Sequence, residues 1–307
     1  MNKLCEDVVP IVVTYNPDEV TLMANLNALL SQARAIVVVD NGSNSNIDIL
    51  LQKLELEWPG ALNCLALKHN YGLGEAYNAG IAIARGMKAV FVLLMDQDSI
   101  PEPGMLYELR NAHINLARQG KHVGAVGACY RNHITAQKSH FVRVTRSGFT
   151  RLGCDDKTNL VRADFLISSG SLISIKALDH IGNMDQDLFI DHIDTEWCFR
   201  AQSKGFEIYG TCSAVMLHSL GDRQIRIWWG RWRTIPFHQP FRYYYMFRNS
   251  VLLWQRPYMP AAWKRADRLR ILYALIFFTL FSPNRIANLF MMIKGLKDGF
   301  NRRIGKL

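Results

Sequence analysis

The chain has 307 residues, a formal net charge of +10 and 49% hydrophobic residues. That apolar share supplies a sizeable core and excludes a disordered chain, and the length suits one large domain or two small ones. No long apolar run follows Met1 to Asp7, so no secretory signal is expected. The six cysteines include no Cys-x-x-Cys pair, which argues against a zinc cage and fits free thiols in a reducing compartment.

The charge is unevenly placed. Of the 36 Lys/Arg, 17 fall after residue 222, but of the 26 acids only Asp267 and Asp298 do. A mildly acidic body with a basic tail points to an anionic surface as partner, membrane or nucleic acid.

Up to Met95 the pattern alternates strand and helix. Val8 to Thr14 reads as a strand, and Tyr15-Asn16-Pro17-Asp18 as its turn. Leu22, Leu26, Leu29 and Leu30 recur at helical spacing. Ala35 to Val39 is a second strand, ending in Asp40-Asn41-Gly42-Ser43. Ile47 to Leu56 is a short helix, Leu62 to Leu67 a third strand, Gly74 to Arg85 an Ala-rich helix, and Ala89 to Met95 a fourth strand. The alternation predicts βαβ units and a mainly parallel sheet with right-handed crossovers.

Ligands bind such sheets at the carboxyl ends of the strands. Tyr15, after the first strand, can stack on a base or simply pack. Asp40, after the second, can accept from a pyrimidine N–H or a ribose hydroxyl, or serve as a turn residue. After the third comes a segment from Lys68 to Gly80, where Asn70 and Gly72 precede a helix whose N-terminus favours an anion. Tyr77 stands where a Gly-x-Gly-x-x-Gly motif needs its last glycine, which excludes a Rossmann dinucleotide site. After the fourth strand, Asp96 and Asp98 are hard oxygen donors suited to Mg²⁺ or Mn²⁺ shared with phosphates, or an Asx-type turn.

Beyond them, Val123 to Tyr130 is apolar, and Phe141 to Arg151 alternates as a strand outside the main sheet. Ser168, Ser169 and Gly170 interrupt the apolar run from Ala163 to Ile173, either to let a ligand approach the backbone or as a bulge. Asp191, Asp194 and Glu196 stand at the start of a helix running to Lys204, as caps or as chemistry. His218 ends another strand. Arg223 and Arg226 are suited to a diphosphate.

The order of Val-Thr-Tyr-Asn-Pro, Val-Val-Asp-Asn-Gly-Ser, Asn-x-Gly-x-x-x-Ala-x-Asn-x-Gly and Asp-x-Asp resembles the family 2 glycosyltransferases of GT-A fold. Asp96-Gln97-Asp98-Ser99, the segment Phe189 to Arg200, and Arg242 to Asn249 resemble the bacterial rhamnosyltransferases in particular. The likeness runs over roughly residues 8–255. It implies a GT-A α/β fold, a mixed and mainly parallel sheet flanked by helices. The catalytic domain would cover 1–222, with nucleotide-sugar binding in 1–100 and acceptor and catalytic parts in 101–222. Residues 223–307 would form a basic helical extension.

The resemblance also implies site roles. Thr14, Tyr15, Asp40, Asn70, Gly72, Asp96, Arg223 and Arg248 would bind a dTDP- or UDP-hexose. Asp96, Asp98 and His218 would hold Mg²⁺ or Mn²⁺. Asp194 matches the catalytic base, with Asp191 the alternative, because Ile193 and Glu196 depart from the family's Glu-Asp-x-Asp-x-Cys-x-Arg pattern. The activity so implied is inverting, metal-dependent transfer of L-rhamnose from dTDP-L-rhamnose to a lipid-linked, O-antigen-like polysaccharide. Two rivals are another UDP- or dTDP-hexose transferase and a non-catalytic glycan-binding module. A nucleotidyltransferase would need a Gly-rich basic loop after the first strand, which Tyr15 to Asp18 lacks.

The tail adds an expectation of its own. The uncharged run from Ile271 to Phe281 is too short to span a bilayer, and Pro283 and Arg285 interrupt it. With Ile286 to Ile293, flanking Lys and Arg, and Trp228, Trp229, Trp232, Trp254 and Trp263, it is expected to lie peripherally on the cytoplasmic face of the inner membrane, with no nucleic acid partner.

Overall fold

The aliphatic runs set the frame. The computed structural model describes residues 4–44, 47–132, 138–146, 148–154, 159–218, 223–228 and 232–307. Its first half alternates as expected: Val8–Thr14 (β1), Glu19–Leu30 (α1), Ile36–Asp40 (β2), Asp48–Glu57 (α2), Leu62–Ala66 (β3), Leu73–Gly86 (α3) and Phe91–Asp96 (β4). Next come Ile100–Pro101 (β5), Met105–Arg118 (α4), Val123–Asn132 (β6), Phe141–Thr145 (β7), Gly148–Leu152 (β8), Leu160–Ala163 (β9) and Ser171–Ser174 (β10). Ile175–Ile181 (α5), Ile193–Ser203 (α6), Glu207–His218 (β11), Arg223–Trp228 (β12) and Trp232–Phe237 (β13) follow. Pro240–Trp254 (α7), Ala261–Phe281 (α8) and Arg285–Phe300 (α9) complete the chain.

The main sheet has the order β3-β2-β1-β4-β10-β6-β11-β5, with β9 also on β11. The four strands from β3 to β4 are parallel, and β10 runs antiparallel between β4 and β6. This is the mixed, mainly parallel sheet of a GT-A fold. Every residue of β1 is buried because helices cover both faces. Alternation divides the strand between two cores. Val9, Ile11 and Val13 pack with Tyr77 and Ile81 of α3. Val8 and Val12 pack with Leu22, Leu26, Leu29 and Leu30 of α1. The expected strand from Phe141 to Arg151 is a separate hairpin, β7 with β8.

Three expectations are corrected. Cys154 and Cys212 are joined as a disulfide, with Cα atoms 5.5 Å apart, so not all thiols are free. They lie 58 residues apart, and only folding brings them together. The boundary at 222/223 does not separate two cores: Leu252 and Leu253 of α7, with Met259 and Trp263, belong to the same core as β1 and α6. Helix α9 then packs closely on α7, because a Cβ at Gly295 would stand 2.4 Å from the Tyr244 carbonyl oxygen. Burial of Trp263, and the Trp254 indole N–H donating to Asp267 at 2.8 Å, remove these two rings from any lipid interface.

Candidate active site

The register puts three expected site positions in one row at the carboxyl edge. Thr14 is paired with Asp40, and Val13 with Asp96. Thr14 itself is fully buried, and its hydroxyl donates to Asp40 Oδ1 at 3.0 Å, so it orients the carboxylate rather than meeting a ligand. Ser43 adds two more bonds to Asp40, from its backbone N–H at 3.1 Å and from its hydroxyl. Asp40, Ser43, Asn44, Asp48, Cys64 and Leu67 line a cavity of about 300 Å³. Beside this edge Tyr15 and Tyr71 expose their rings, at 44% and 48%. Gln97, the middle residue of the Asp-x-Asp, accepts from the Tyr15 N–H at 2.7 Å and so ties the two strand-end loops together.

Asn70 and Gly72 turn inward. Asn70 Oδ1 accepts from the Gly72 N–H at 3.0 Å and from Asn41 at 3.2 Å. Gly72 has φ +94°, and a Cβ there would lie 2.6 Å from the Phe189 carbonyl oxygen. Its missing Cβ therefore allows close approach to the 189–192 loop.

The carboxylates converge around a fully buried tyrosine. Tyr77 donates its hydroxyl to Asp96 Oδ1 at 2.9 Å. Burial, and then the charges of Asp96, Asp194 and Asp98, hold its phenol far above the usual value, so it remains a donor. The loop between β9 and β10 bridges the two acids. The Ser169 hydroxyl accepts from the Asp96 N–H at 3.1 Å, and the Ser168 N–H donates to Asp194 Oδ2 at 3.2 Å. Asp194 Oδ1 also accepts from the Thr195 N–H at 2.6 Å. Burial raises the Asp194 carboxyl to about 6, against the Thr195 bonds and with help from the Asp191 and Asp96 charges.

The neighbouring acids are spent on structure. Asp191 receives the Arg242 guanidinium at 3.2–3.3 Å on both oxygens. Glu196 is fully buried, bonded to Arg200 at 2.8 Å, to Arg256 at 3.0 Å and to the Tyr258 hydroxyl. Phe189, Asp191 and His192 all have positive φ, a costly backbone for side-chain-bearing residues. Helix α7 holds that loop in place. The Asn249 amide donates to the carbonyls of Leu188, Ile190 and Asp191 at 2.7–3.0 Å.

Arg248 corrects its expected role. It is fully buried. Its guanidinium donates to the carbonyls of Gly305, Asp187 and Leu188 and to Asn249, and it lies over the Tyr245 ring at 4.9 Å. It braces the loop and reaches no diphosphate. The side chains of His218 and Arg223 lie outside the described residues; their backbones end β11 and begin β12. Asp96 and Asp98 flank the same site, but among the described residues no three His, Cys, Asp or Glu side chains gather as a metal cage. Tyr77, Gln97 and the Arg242–Asp191 pair went unassigned in the sequence. Tyr77 was marked only as a misplaced glycine position, and Gln97 and Arg242 only as members of longer motifs.

The model of the family named Glycosyl transferase family 2 matches residues 11–182. The chain belongs to glycosyl transferase family 2. The match covers Asp40, Asp96, Asp98 and the Ser168–Ser169 loop, and stops short of Asp191 and Asp194. The glycosyltransferase is also 29% identical to dTDP-rhamnosyl transferase RfbF of Shigella flexneri, over 81% of this chain and 80% of that protein. In fold it is similar to a crystal structure of GalNAc-T7 with UDP, GalNAc and Mn²⁺, at TM-score 0.61 and 14% identity. That likeness covers 96% of this chain and 56% of the other.

One prediction arises from the buried tyrosine. Tyr77→Phe leaves Asp96 Oδ1 without its donor. A hydrogen bond to a charged group is worth about 1.5–3 kcal/mol. The loss is expected as a lower melting temperature by calorimetry.

Proposed function

We propose that this glycosyltransferase moves L-rhamnose from dTDP-L-rhamnose, with inversion, onto a hydroxyl of a lipid-linked saccharide at the cytoplasmic face of the inner membrane. The donor follows the RfbF relative. The observation that carries the chemistry is the half-buried Asp194, whose carboxylate takes the Ser168 N–H, beside Asp96, whose backbone N–H donates to the neighbouring Ser169 hydroxyl. Asp194, with its carboxyl near 6, is mostly ionised at neutral pH and still basic enough to accept a proton. Asp191 is instead held in an ion pair with Arg242.

Asp194 removes the acceptor hydroxyl proton as that oxygen bonds to the anomeric carbon. The bond from that carbon to the diphosphate breaks, and dTDP leaves with the electron pair. Asp96 and Asp98 supply the hard oxygen donors that Mg²⁺ or Mn²⁺ requires. A cation held there would take up charge on the diphosphate. Asp40, Tyr15 and Tyr71 form the base-reading edge.

Two measurements test this reading. In thermal-shift competition dTDP and UDP should protect better than GDP or ADP; stronger protection by GDP would remove the case for rhamnose. Asp98→Ala and chelation should each weaken dTDP binding and turnover together. Unchanged binding in both would remove the metal from the scheme.

A further inference from the structure

We infer that α8 and α9 form a docking face for an anionic lipid bilayer, lying on its surface without crossing it. The inference uses the proposed function only in that the acceptor is lipid-borne. On α8, Leu269, Leu272, Tyr273, Ile276 and Leu280 form one stripe at helical spacing, each between 49% and 68% exposed. On α9, Ile286, Phe290, Ile293 and Phe300 do the same, between 53% and 82% exposed. The opposite faces are the buried ones: Trp263, Asp267, Ile271 and Phe278 on α8, and Asn288, Met292, Gly295 and Gly299 on α9. Ile271, Phe278 and Met292 pack together with Tyr243 and Phe247 of α7, so both apolar stripes look away from the catalytic body. Solvent-exposed apolar area on this scale marks an interaction surface.

Charge selects the partner. The only acids after residue 222 are Asp267 and Asp298, and both are buried. Asp267 is paired with Arg270 at 2.7 Å, and Asp298 accepts from Tyr244 at 2.9 Å. Every exposed charged side chain on α8 and α9 is therefore basic. Arg265 lies on the apolar stripe of α8 and Lys297 on that of α9, with Arg268 and Arg285 alongside. Apolar stripes studded with cations and free of acids fit the headgroup layer of an anionic leaflet. No helix among the described residues is long and apolar enough to cross a membrane, so the contact is superficial.

The same helix reaches the catalytic loop. On the inner side of α8 the Arg270 guanidinium donates to His192 Nε2 and to the Ser250 hydroxyl, both at 3.1 Å. Burial and the Arg270 charge hold the His192 imidazole below its usual value, leaving that nitrogen free to accept. His192 caps α6, which carries Asp194. One helix thickness, about 10 Å, thus separates the lipid face from the residue that caps the base-bearing helix.

The test uses the full chain, because a cut after Arg256 would uncover the core around Trp263. Sedimentation is measured with vesicles containing phosphatidylglycerol and with neutral phosphatidylcholine vesicles, alongside light scattering and the dTDP thermal shift. The wild type should pellet with anionic vesicles and not with neutral ones. The pair Ile276→Glu and Phe290→Glu, and separately Arg265→Glu with Lys297→Glu, should each weaken binding by about tenfold or more. The dTDP thermal shift should be unchanged in both. A wild type left in the supernatant with anionic vesicles overturns the inference. So does a dimer that the apolar substitutions dissociate, since a second copy would then cover the face. Loss of the dTDP response in the wild type would strike the proposed function and leave the lipid result standing.

Discussion

Asp194→Asn should abolish nearly all transfer while leaving dTDP binding intact. An amide cannot take the acceptor proton, and a general base of this kind contributes about 10²–10⁴ in rate. The wild-type kcat/KM should rise with pH and level off above about 6, following the carboxyl that burial has raised. Stability gives an independent reading, with a definite sign. The folded carboxyl lies above its unfolded value of 3.8, so below about pH 4 both states are protonated and the group contributes nothing. Between about 4 and 6 the native state keeps a proton that the unfolded chain has lost, and rising pH costs stability. Above about 6 the penalty is complete, at most about 3 kcal/mol for a shift of roughly two units. Asn has no such titration, so the variant's melting temperature should not decline across that window as the wild type's does. Against this relief stands its amide group facing the Ser168 N–H, a mismatch worth about 1–3 kcal/mol. An Asn variant that kept more than about a tenth of the rate would overturn the assignment and move attention to Asp191.

Glu196→Ala should have the largest effect on folding. The carboxylate is fully buried and serves Arg200, Arg256 and Tyr258 at once. Arg256 also pairs with Asp185, so the cluster joins α6, the chain before the 3₁₀ turn Gln186–Leu188, and the α7–α8 connection. Removing one partner of a buried ion pair leaves the remaining charge uncompensated and costs about 3–5 kcal/mol. Denaturant unfolding should show that loss directly. The exposed Arg85–Asp179 pair provides the contrast. Its side chains keep 34% and 50% exposure, and Asp179→Ala should change stability by no more than about 1 kcal/mol. Equal effects from the two substitutions would mean that Glu196 is not the centre of its cluster.

The outer frame was legible because its signals are local. Helical spacing at Leu22, Leu26, Leu29 and Leu30 and the aliphatic runs of β1, β2 and β4 need only neighbouring residues to declare themselves. Strand ends follow from those runs, which is why Asp40 and Asp96 fell on the site edge. What Thr14, Gly72 and Arg248 pack against was not legible in the sequence, for one reason. Each is a polar or permissive residue near the right place, and whether it faces ligand or protein depends on what packs beside it. Thr14 faces Asp40, Gly72 meets Phe189, and Arg248 finds the carbonyls of Asp187, Leu188 and Gly305.

The sequence by itself determined the parallel sheet, the acids at its carboxyl edge and the basic, acid-poor tail, since composition and short periods are properties of the chain alone. Tertiary structure decided how two neighbouring acids come to differ in their surroundings. Asp191 and Asp194 are three residues apart and alike in sequence. Arg242, 51 residues from Asp191, neutralises the first, while burial under the Ser168 loop raises the second. Tertiary structure also made α7 part of the catalytic body and left the outer faces of α8 and α9 bare. Protonation and exposure depend on dielectric and charge summed over groups distant in the chain, and those distances exist only once it is folded.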